Sequence, residues 1–377
     1  MPFCPKIKAT WLIGLLVILL AGCAAPAASP TPTVTATATV SPTPLPTSTS
    51  TPTLTPTPIR TPPALASLFQ TSLLNPLDPP HTYIQDTCQY LHDKWSSANS
   101  APGTVVMVIM FHSITNKAVS SPSQISEYDF RQLMTRLHDD GFQAITTLQL
   151  ADFMDKNAKI PSHSVLLVVD DRKSSDYFNI FFRQYWEEWG WPVVNAWITL
   201  DDSIGQVYLP ENVALSNEGW VDYQSHGFVH NVPMSDDSSD EYLTGELQGS
   251  RDIVQAEFGK APIAIIWPGG GFGIRPVGFA RKAGYRLGFT TNPRGPLMYN
   301  WVPLADAFDD RRPSWLAEGP VNDPLLVLPR YWDTDAIIHI DDVIKISQDA
   351  TAYAEQNKAT ELEYYAIVCA PTYGSIP

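Results

Sequence analysis

Short apolar runs alternate with helix-patterned segments along the chain from Thr104 onward. The runs are too short for helices and mostly free of polar residues, which is typical of parallel strands buried on both faces. Between them, apolar residues recur at three- and four-residue intervals, as along an amphipathic helix. The predicted strands cover residues 105–111, 165–169, 193–199, 220–223, 263–267, 287–290 and 325–328.

The helix signals support the same alternation. Ser126 is the predicted N-cap of a helix that Gly141 follows, and Ser238 with Glu241 has capping-box spacing for a helix ending at Gly259. Further helices are predicted over 178–189 and 277–283. About seven strands with helices between them, and no glycine-rich phosphate loop after the first strand, predict an α/β fold, a distorted or incomplete (β/α) barrel.

The N-terminal region has a different pattern. Lys6 and Lys8 precede an apolar run, residues 11–20, that is shorter than the ~20 residues of a transmembrane helix. Leu20-Ala21-Gly22-Cys23 resembles the lipobox of bacterial lipoproteins, so we predict a signal peptide over 1–22 and lipidation of Cys23. The protein is then expected outside the cytoplasm, anchored to the cell membrane. The alternative is an ordinary signal peptide cut near Ala25.

Residues 23–64 are almost entirely Ala, Pro, Thr and Ser, with Arg60 as the charged exception, and are expected to form a semi-extended linker. We therefore divide the remainder into an N-terminal extension (65–103), the main domain (104–335) and a C-terminal extension (336–377). The sequence does not assign a role to either extension.

Charge and cysteine content narrow the function further. A formal net charge of -15 leaves no basic face for nucleic acid. Of the four cysteines, Cys88 and Cys369 remain after signal removal and lipidation. They are either a disulfide between the two extensions or two buried thiols.

Reactive side chains follow the predicted strands. In (β/α) barrels the chemistry lies at the carboxyl ends of the strands, so these residues are expected to converge on one rim. They are His112, Asp170, Asp171, His226, His230, Pro268 and Arg330.

Asp171, His226 and His230 have the composition of a metal site. Two histidines four residues apart share one face of a helical turn, and with a carboxylate they leave an open position on an ion such as Zn²⁺. Each part also has a plain alternative, since paired aspartates occur in solvated loops and single histidines are often structural.

The ordered motifs resemble those of the polysaccharide deacetylase family, the NodB-homology domains, over residues 104–335. The matching segments are Val168-Val169-Asp170-Asp171, Ser225-His226-Gly227-Phe228-Val229-His230, Ile266-Trp267-Pro268-Gly269-Gly270, Lys282-Ala283-Gly284-Tyr285, Phe289-Thr290-Thr291-Asn292 and Leu328-Pro329-Arg330.

The resemblance implies that Asp170 is the general base and that Asp171, His226 and His230 bind a divalent metal, with Zn²⁺ preferred. In one branch of the family a histidine after the first strand is the general acid, which points to His112; a purely structural His112 is the alternative. His339 resembles a motif of another branch but lies beyond the last matching segment.

Arg330 is expected to support the base through a charge-assisted hydrogen bond, although a structural salt bridge is almost equally consistent. Arg172 stands where the family has glycine, where it is expected to compete with the metal, grip a substrate anion or point to solvent.

Aromatic residues near the rim suggest sugar contacts. Trp186 and Trp189 lie in a helical pattern and are expected to pack in the core, whereas Trp267 and Trp332 lie beside rim motifs. The predicted substrate-binding residues are Trp267, Pro268, Gly269 and Trp332.

The sequence as a whole predicts metal-dependent removal of acetyl groups from an extracellular or envelope polysaccharide that contains N-acetylglucosamine. One alternative is a surface lipoprotein that binds carbohydrate without turnover, because Arg172 and the altered Pro268 loop depart from the family pattern. Another is a barrel glycoside hydrolase that uses Asp170 and a second carboxylate.

Overall fold

The computed structural model describes residues 60–230, 232–308, 310 and 316–377. The predicted signal peptide, Cys23 and nearly all of the Thr/Pro-rich linker lie outside these residues. Among the described residues, no helix combines the length and the apolar character needed to cross a bilayer.

Seven parallel strands form a curled, incomplete barrel with helices between them, which confirms the predicted fold class. In spatial order the sheet runs β6-β5-β4-β3-β2-β1-β7. The strands are β1 Val105–Phe111, β2 His163–Val169, β3 Val193–Trp197, β4 Val221–Ser225, β5 Ala264–Ile266, β6 Leu287–Phe289 and β7 Tyr331–Trp332. Gln143–Ala144 also pairs with β2, in parallel.

The predicted strand over 325–328 is wrong. Pro324–Leu326 is a 3-10 helix, and only Leu328 forms an isolated parallel bridge, with Phe289 of β6. The chain then continues into β7, which pairs with β1. The segment from Leu328 to β7 therefore contacts β6 at one end and β1 at the other, and it carries Arg330 between these contacts.

Short β pairs and turns extend beyond the barrel sheet. Pro80–His81 pairs antiparallel with Val302–Pro303. Ser113–Thr115 and Gln124–Ser126 form a small parallel pair just after β1. The remaining 3-10 segments are Pro268–Gly270 and Gly319–Val321.

The helices follow the sequence signals with local differences. They are α1 Thr87–Trp95, α2 Glu127–Asp139, α3 Thr147–Lys156, α4 Ser175–Phe181, α5 Arg183–Trp189, α6 Ser203–Ser216, α7 Asp240–Thr244, α8 Ser250–Phe258, α9 Ile274–Ala283, α10 Ala336–Tyr364 and α11 Ala370–Tyr373. Two π-helical turns, Gly245–Gly249 and Tyr365–Cys369, lie between α7 and α8 and between α10 and α11.

Three helix predictions can be compared directly. Ser126 caps α2 through the backbone N–H of Asp129, as predicted. The single helix over 178–189 is wrong, because the chain breaks at Phe182 into α4 and α5. The capping box of Ser238 with Glu241 is also wrong, since the N-cap is the next residue, Ser239, which accepts from Tyr242.

The sheet is buried on both faces. Alternate residues of β1 belong to two apolar clusters: Val105, Met107, Ile109 and Phe111 in one, Val106 and Val108 in the other. This division follows from the two-residue side-chain period of a strand, and it explains why the strand has no polar positions. Trp186 and Trp189 pack against the first cluster, as predicted.

The two extensions pack against each other and against the barrel. Residues of α10, including Ile340 and Val343, belong to the same apolar cluster as β1. Cys88 of α1 and Cys369 form a disulfide with their Cα atoms 5.2 Å apart, which confirms the bridge among the two alternatives. It closes a loop with a sequence separation of 281 residues.

Candidate metal centre

Two adjacent aspartates follow β2 and enter different environments. Asp170 continues the sheet, since its N–H donates to Phe111 O at 2.8 Å. Asp171 then adopts a left-handed conformation (φ 68°), as does Arg172 (φ 44°). This turn leaves the Asp170 side chain buried at 2% exposure, whereas the Asp171 side chain is 39% exposed. The pair is therefore divided into one enclosed and one accessible carboxylate.

His226 and His230 do come together, but the helical turn predicted to connect them is wrong. Gly227 and His230 both have positive φ, 79° and 59°. The buried carboxylate of Glu246 accepts hydrogen bonds from the backbone N–H groups of Phe228 and Val229, at 2.8 and 2.9 Å. A Cβ at position 227 would lie 2.4 Å from Glu246 Oε2, so glycine is required there. Glu246 thus shapes the loop, and the sequence analysis missed it.

The three predicted ligands form a compact donor set. Asp171 Oδ1 lies 3.7 Å from His226 Nε2 and 3.8 Å from His230 Nε2, and all the candidate ligand atoms lie within 4.8 Å of one another. His226 Nδ1 contacts Ile266 O at 2.8 Å, so this nitrogen carries the proton and Nε2 presents its lone pair. One carboxylate and two imidazoles in this arrangement fit a zinc-like divalent ion.

The ionisation of these groups also suits metal binding. Burial raises the pKa of the Asp171 carboxyl, but the adjacent His226 imidazole outweighs it, and the resulting pKa is well below the usual value. Burial, followed by the neighbouring His226, lowers the pKa of His230 to about 4. An ionised carboxylate and a neutral imidazole are the forms that bind a cation.

Asp170 is held by a buried arginine. Arg330 donates from Nη1 to Asp170 Oδ1 at 2.7 Å and from Nη2 to Oδ2 at 3.0 Å, while its Nε donates to Thr290 O at 2.7 Å. Burial raises the pKa of Asp170, but the charge of Arg330, with those of His226 and His112, more than offsets this and lowers it. The Arg330 interaction predicted from sequence is therefore present.

His112 lies beside Asp170. Its Nε2 is 3.7 Å from Asp170 Oδ2, and its ring stacks on Trp332 with centroids 5.3 Å apart and planes at 12°. The Trp332 indole N–H donates to Thr291 O at 3.1 Å. Burial lowers the pKa of His112, and the charge of Asp170 opposes this. Trp332 thus orients the imidazole and is itself only partly exposed.

Asp333 is a second residue that the sequence analysis missed. Its side chain is 1% exposed, and among the described residues neither carboxylate oxygen has a hydrogen-bond partner. Its backbone N–H donates to Met110 O at 3.1 Å, which places it at the end of β7 beside the end of β1. Burial raises the pKa of this carboxyl to about 7. His112 Nδ1 is likewise enclosed without a partner.

Arg172 takes none of the three positions expected for it. Its guanidinium donates to the Asp202 carboxylate at 2.9 and 3.0 Å and to Leu200 O at 2.8 Å. It is 8% exposed and lies over the Trp197 ring. The cation nearest the donor set is Lys173 instead, whose Nζ lies 3.9 Å from Asp171 Oδ2. Burial lowers the pKa of this lysine.

The predicted sugar contact of Trp267 is wrong. Trp267 is 0% exposed, and its indole N–H donates to Leu326 O at 2.7 Å, so neither ring face is available. Pro268 is also buried, close to Gly227 of the histidine loop, which contradicts a direct substrate contact. Gly269 is exposed and has φ 58°. Of the four predicted substrate contacts, Gly269 and Trp332 remain accessible.

Comparison with known proteins gives a sequence relative and several similar structures. No protein-family profile matches the chain. A Bacillus subtilis (strain 168) protein named "Putative polysaccharide deacetylase YxkH" is 23% identical over 197 residues, which cover 49% of this chain and 64% of that protein. The aligned region is therefore less than two thirds of the relative's length.

Solved structures with a similar arrangement include two deacetylases. Streptococcus pyogenes deacetylase PplD, in complex with acetate, has a TM-score of 0.48 and 20% identity, covering 62% of this chain and 93% of that one. BC0361, a polysaccharide deacetylase from Bacillus cereus, has a TM-score of 0.47 and 20% identity, covering 64% of this chain and 69% of that one. The named sequence relative confirms the resemblance to polysaccharide deacetylases that the ordered motifs predict.

Proposed function

We propose that this protein is a metal-dependent hydrolase that removes acetyl groups from a polysaccharide containing N-acetylglucosamine. The observation that carries the proposal is the convergence of Asp171, His226 and His230 beside the buried Asp170–Arg330 pair. The name of the Bacillus subtilis relative supports the same reaction class.

Asp171, His226 and His230 would hold the ion. When bound, a divalent cation such as Zn²⁺ polarises the acetyl carbonyl and stabilises negative charge on its oxygen. Asp170 lies next to this donor set in the chain, and Arg330 keeps its carboxylate ionised and fixes both oxygens. Asp170 is therefore suited to accept the proton of the attacking water.

The leaving amine requires a proton, and His112 is the candidate donor. Its Nε2 lies 3.7 Å from Asp170 Oδ2, so the acid and the base face the same space. Stacking on Trp332 fixes the plane of the imidazole. Because His112 Nε2 and Asp170 Oδ2 are neighbours, protonation of Asp170 during attack removes the negative charge that holds a proton on His112.

The alternative of a non-catalytic carbohydrate-binding protein depended partly on Arg172. Its bonds to Asp202 and Leu200 hold the guanidinium on the loop after β3 rather than at the donor set. This feature therefore gives no support to loss of turnover, and the catalytic proposal is preferred.

We also propose that the protein is anchored outside the cytoplasm through lipidated Cys23, with the linker separating the barrel from the membrane. The lipobox-like Leu20-Ala21-Gly22-Cys23 supports this location. Cys23→Ser should move the protein from the detergent phase to the aqueous phase when bacterial cells are partitioned. Unchanged partitioning would contradict the anchor.

The catalytic proposal is tested by metal analysis together with acetate release from N-acetylglucosamine oligomers. Asp171→Ala, His226→Ala and His230→Ala should each lose bound metal and acetate release. In the wild type, the oligomers should lose acetyl groups without becoming shorter. His339→Ala is the matched control, because its ring contacts Tyr331 and it lies outside the donor set. Chelator-resistant acetate release, or equal activity in all four variants, would contradict the proposal.

A further inference from the structure

A cavity lies at the end of the barrel opposite the candidate metal centre. It has a volume of about 380 Å³, within the ~300–1,000 Å³ typical of small-molecule sites. Gly103 and Thr104, which line it, precede β1, whereas His112 follows β1. A strand rises about 3.3 Å per residue, so Thr104 and His112 mark sites roughly 25 Å apart along β1. The cavity is therefore separate from the proposed catalytic site.

Asn300 supplies a hydrogen-bond donor to this cavity. The residue is 5% exposed, and its Oδ1 accepts from the backbone N–H groups of Tyr83 and Ile84, both at 2.8 Å. These bonds fix which end of the amide is oxygen. Its Nδ2 donates to no described atom, yet this nitrogen is not fully buried. Asn300 lines the cavity, and its Nδ2 is the hydrogen-bond donor that we assign to an occupant.

Asn157 supplies a matching acceptor. It is 3% exposed, and its Nδ2 donates to Asp93 O at 2.9 Å and to Ser100 O at 3.0 Å. Its Oδ1 accepts from no described donor, and this oxygen is also not fully buried. Since Asn157 lines the same cavity, the lining contains one amide with an unused donor and one with an unused acceptor.

The rest of the lining combines aromatic, aliphatic and neutral polar residues with one charged pair. Partly exposed rings of Phe69, Tyr90 and Tyr299 contribute to it. The charged lining residues, Lys94 and Glu361, pair with each other at 2.8 Å, so the described lining offers no unpaired charge. Aromatic surface combined with fixed amide groups suits a ligand that has both an apolar face and neutral hydrogen-bonding groups.

We propose that this cavity binds a neutral sugar unit of a polysaccharide and so holds the chain at a second point, away from the metal centre; this inference rests on the proposed polysaccharide substrate. A pyranose ring presents an apolar face to the aromatic rings and hydroxyl or acetamido groups to Asn300 and Asn157. An anionic ligand would find no free cation here, and an alkyl chain would leave both amides unpaired.

The test blocks the cavity without touching its buried amides. Thr87 is an exposed lining residue at the start of α1, and Thr87→Trp should fill the opening. Gln89→Trp is the matched control, because Gln89 is exposed on the same helix but outside the lining. Binding of an N-acetylglucosamine tetramer is measured by calorimetry with chelator present, so that turnover does not contribute.

We expect Thr87→Trp to weaken tetramer binding by about tenfold or more, and Gln89→Trp to leave it within about twofold of the wild type. Acetate release from a short acetylated substrate should be equal in all three proteins, which separates this test from that of the catalytic proposal. Absence of wild-type binding at millimolar tetramer, or equal binding by the two tryptophan variants, would overturn the assignment.

Discussion

Arg330→Met should destabilise the fold strongly, because it leaves a buried carboxylate without its counter-charge. Arg330 is 0% exposed and Asp170 1%, so bulk solvent screens this pair little. Both oxygens of Asp170 accept from Arg330, at 2.7 and 3.0 Å. Breaking such a buried pair from one side typically costs about 3–5 kcal/mol, and we expect a loss of unfolding free energy in that range at pH 7.

The sign of the pH dependence follows from the pKa of Asp170. In the wild type this pKa is lowered, so the pair stabilises the fold above the unfolded carboxyl pKa, about 4, and loses that contribution as the pH falls. In Arg330→Met the burial remains while the largest opposing charge is gone, so the pKa rises instead. The stability difference should therefore be greatest at neutral pH and should narrow towards pH 5.

Urea denaturation with chelator present measures this loss without a contribution from metal binding. Arg286→Met is the matched control, because Arg286 also forms ion pairs, with Asp152 and Asp155, but its side chain is 30% exposed. The expected loss of unfolding free energy is about 0–1 kcal/mol. The double variant Arg330→Met with Asp170→Leu should recover most of the stability, because no buried charge remains. Equal losses in the two arginine variants, or no recovery in the double variant, would refute the reasoning.

Three further outcomes are expected. Burial raises the pKa of Asp333 from 3.8 to about 7, so the folded wild type loses stability as pH rises from about 4 to 7. Asp333→Asn has no such carboxyl, so its unfolding free energy should exceed that of the wild type by an amount on the order of 4 kcal/mol at pH 7. Urea titrations with no pH-dependent gain would contradict this. Cys88→Ser should lower the unfolding free energy by roughly 2–5 kcal/mol, with the same urea midpoint as Cys369→Ser and reduced wild type; a midpoint equal to that of the oxidised wild type would contradict this. Trp267→Phe should reduce the unfolding free energy by about 1–3 kcal/mol and leave KM unchanged, because it removes a buried hydrogen bond. Trp332→Ala should lower kcat, because His112 loses the ring on which it stacks. A KM effect confined to Trp267→Phe would contradict the structural role of Trp267.

The strands that sequence predicts well are those buried on both faces, because such strands contain few polar residues. The run at 105–111 has the same bounds in the structure. The last predicted strand is misplaced for a related reason. Residues 325–328 are apolar because they are buried, although they begin in a 3-10 turn, and the true strand β7 is only two residues long, too short to show a pattern. Since Asp333 follows β7, the same error hid a carboxylate that the rule of strand ends would have found.

The histidine loop shows a different limit of sequence reasoning. The four-residue spacing predicts that His226 and His230 lie together, and they do, but through a loop with positive φ at Gly227 and His230. Glu246 stabilises this loop from a π-helical turn beyond it in the chain. Such a contact depends on tertiary packing, and neither spacing nor composition indicates it.

Asp170 and Asp171 show most clearly what the chain's local conformation adds to its sequence. The two residues have the same chemistry and are adjacent, so composition cannot distinguish a base from a ligand. The left-handed backbone at Asp171 turns its carboxylate towards His226 and His230, while Asp170 remains in the barrel against Arg330. A second Asp-Asp pair, Asp201 and Asp202, also follows a strand, yet Asp202 caps α6 and binds Arg172. Two adjacent aspartates after a strand are therefore not enough to indicate a metal site. The side chains that surround each carboxylate determine what it binds.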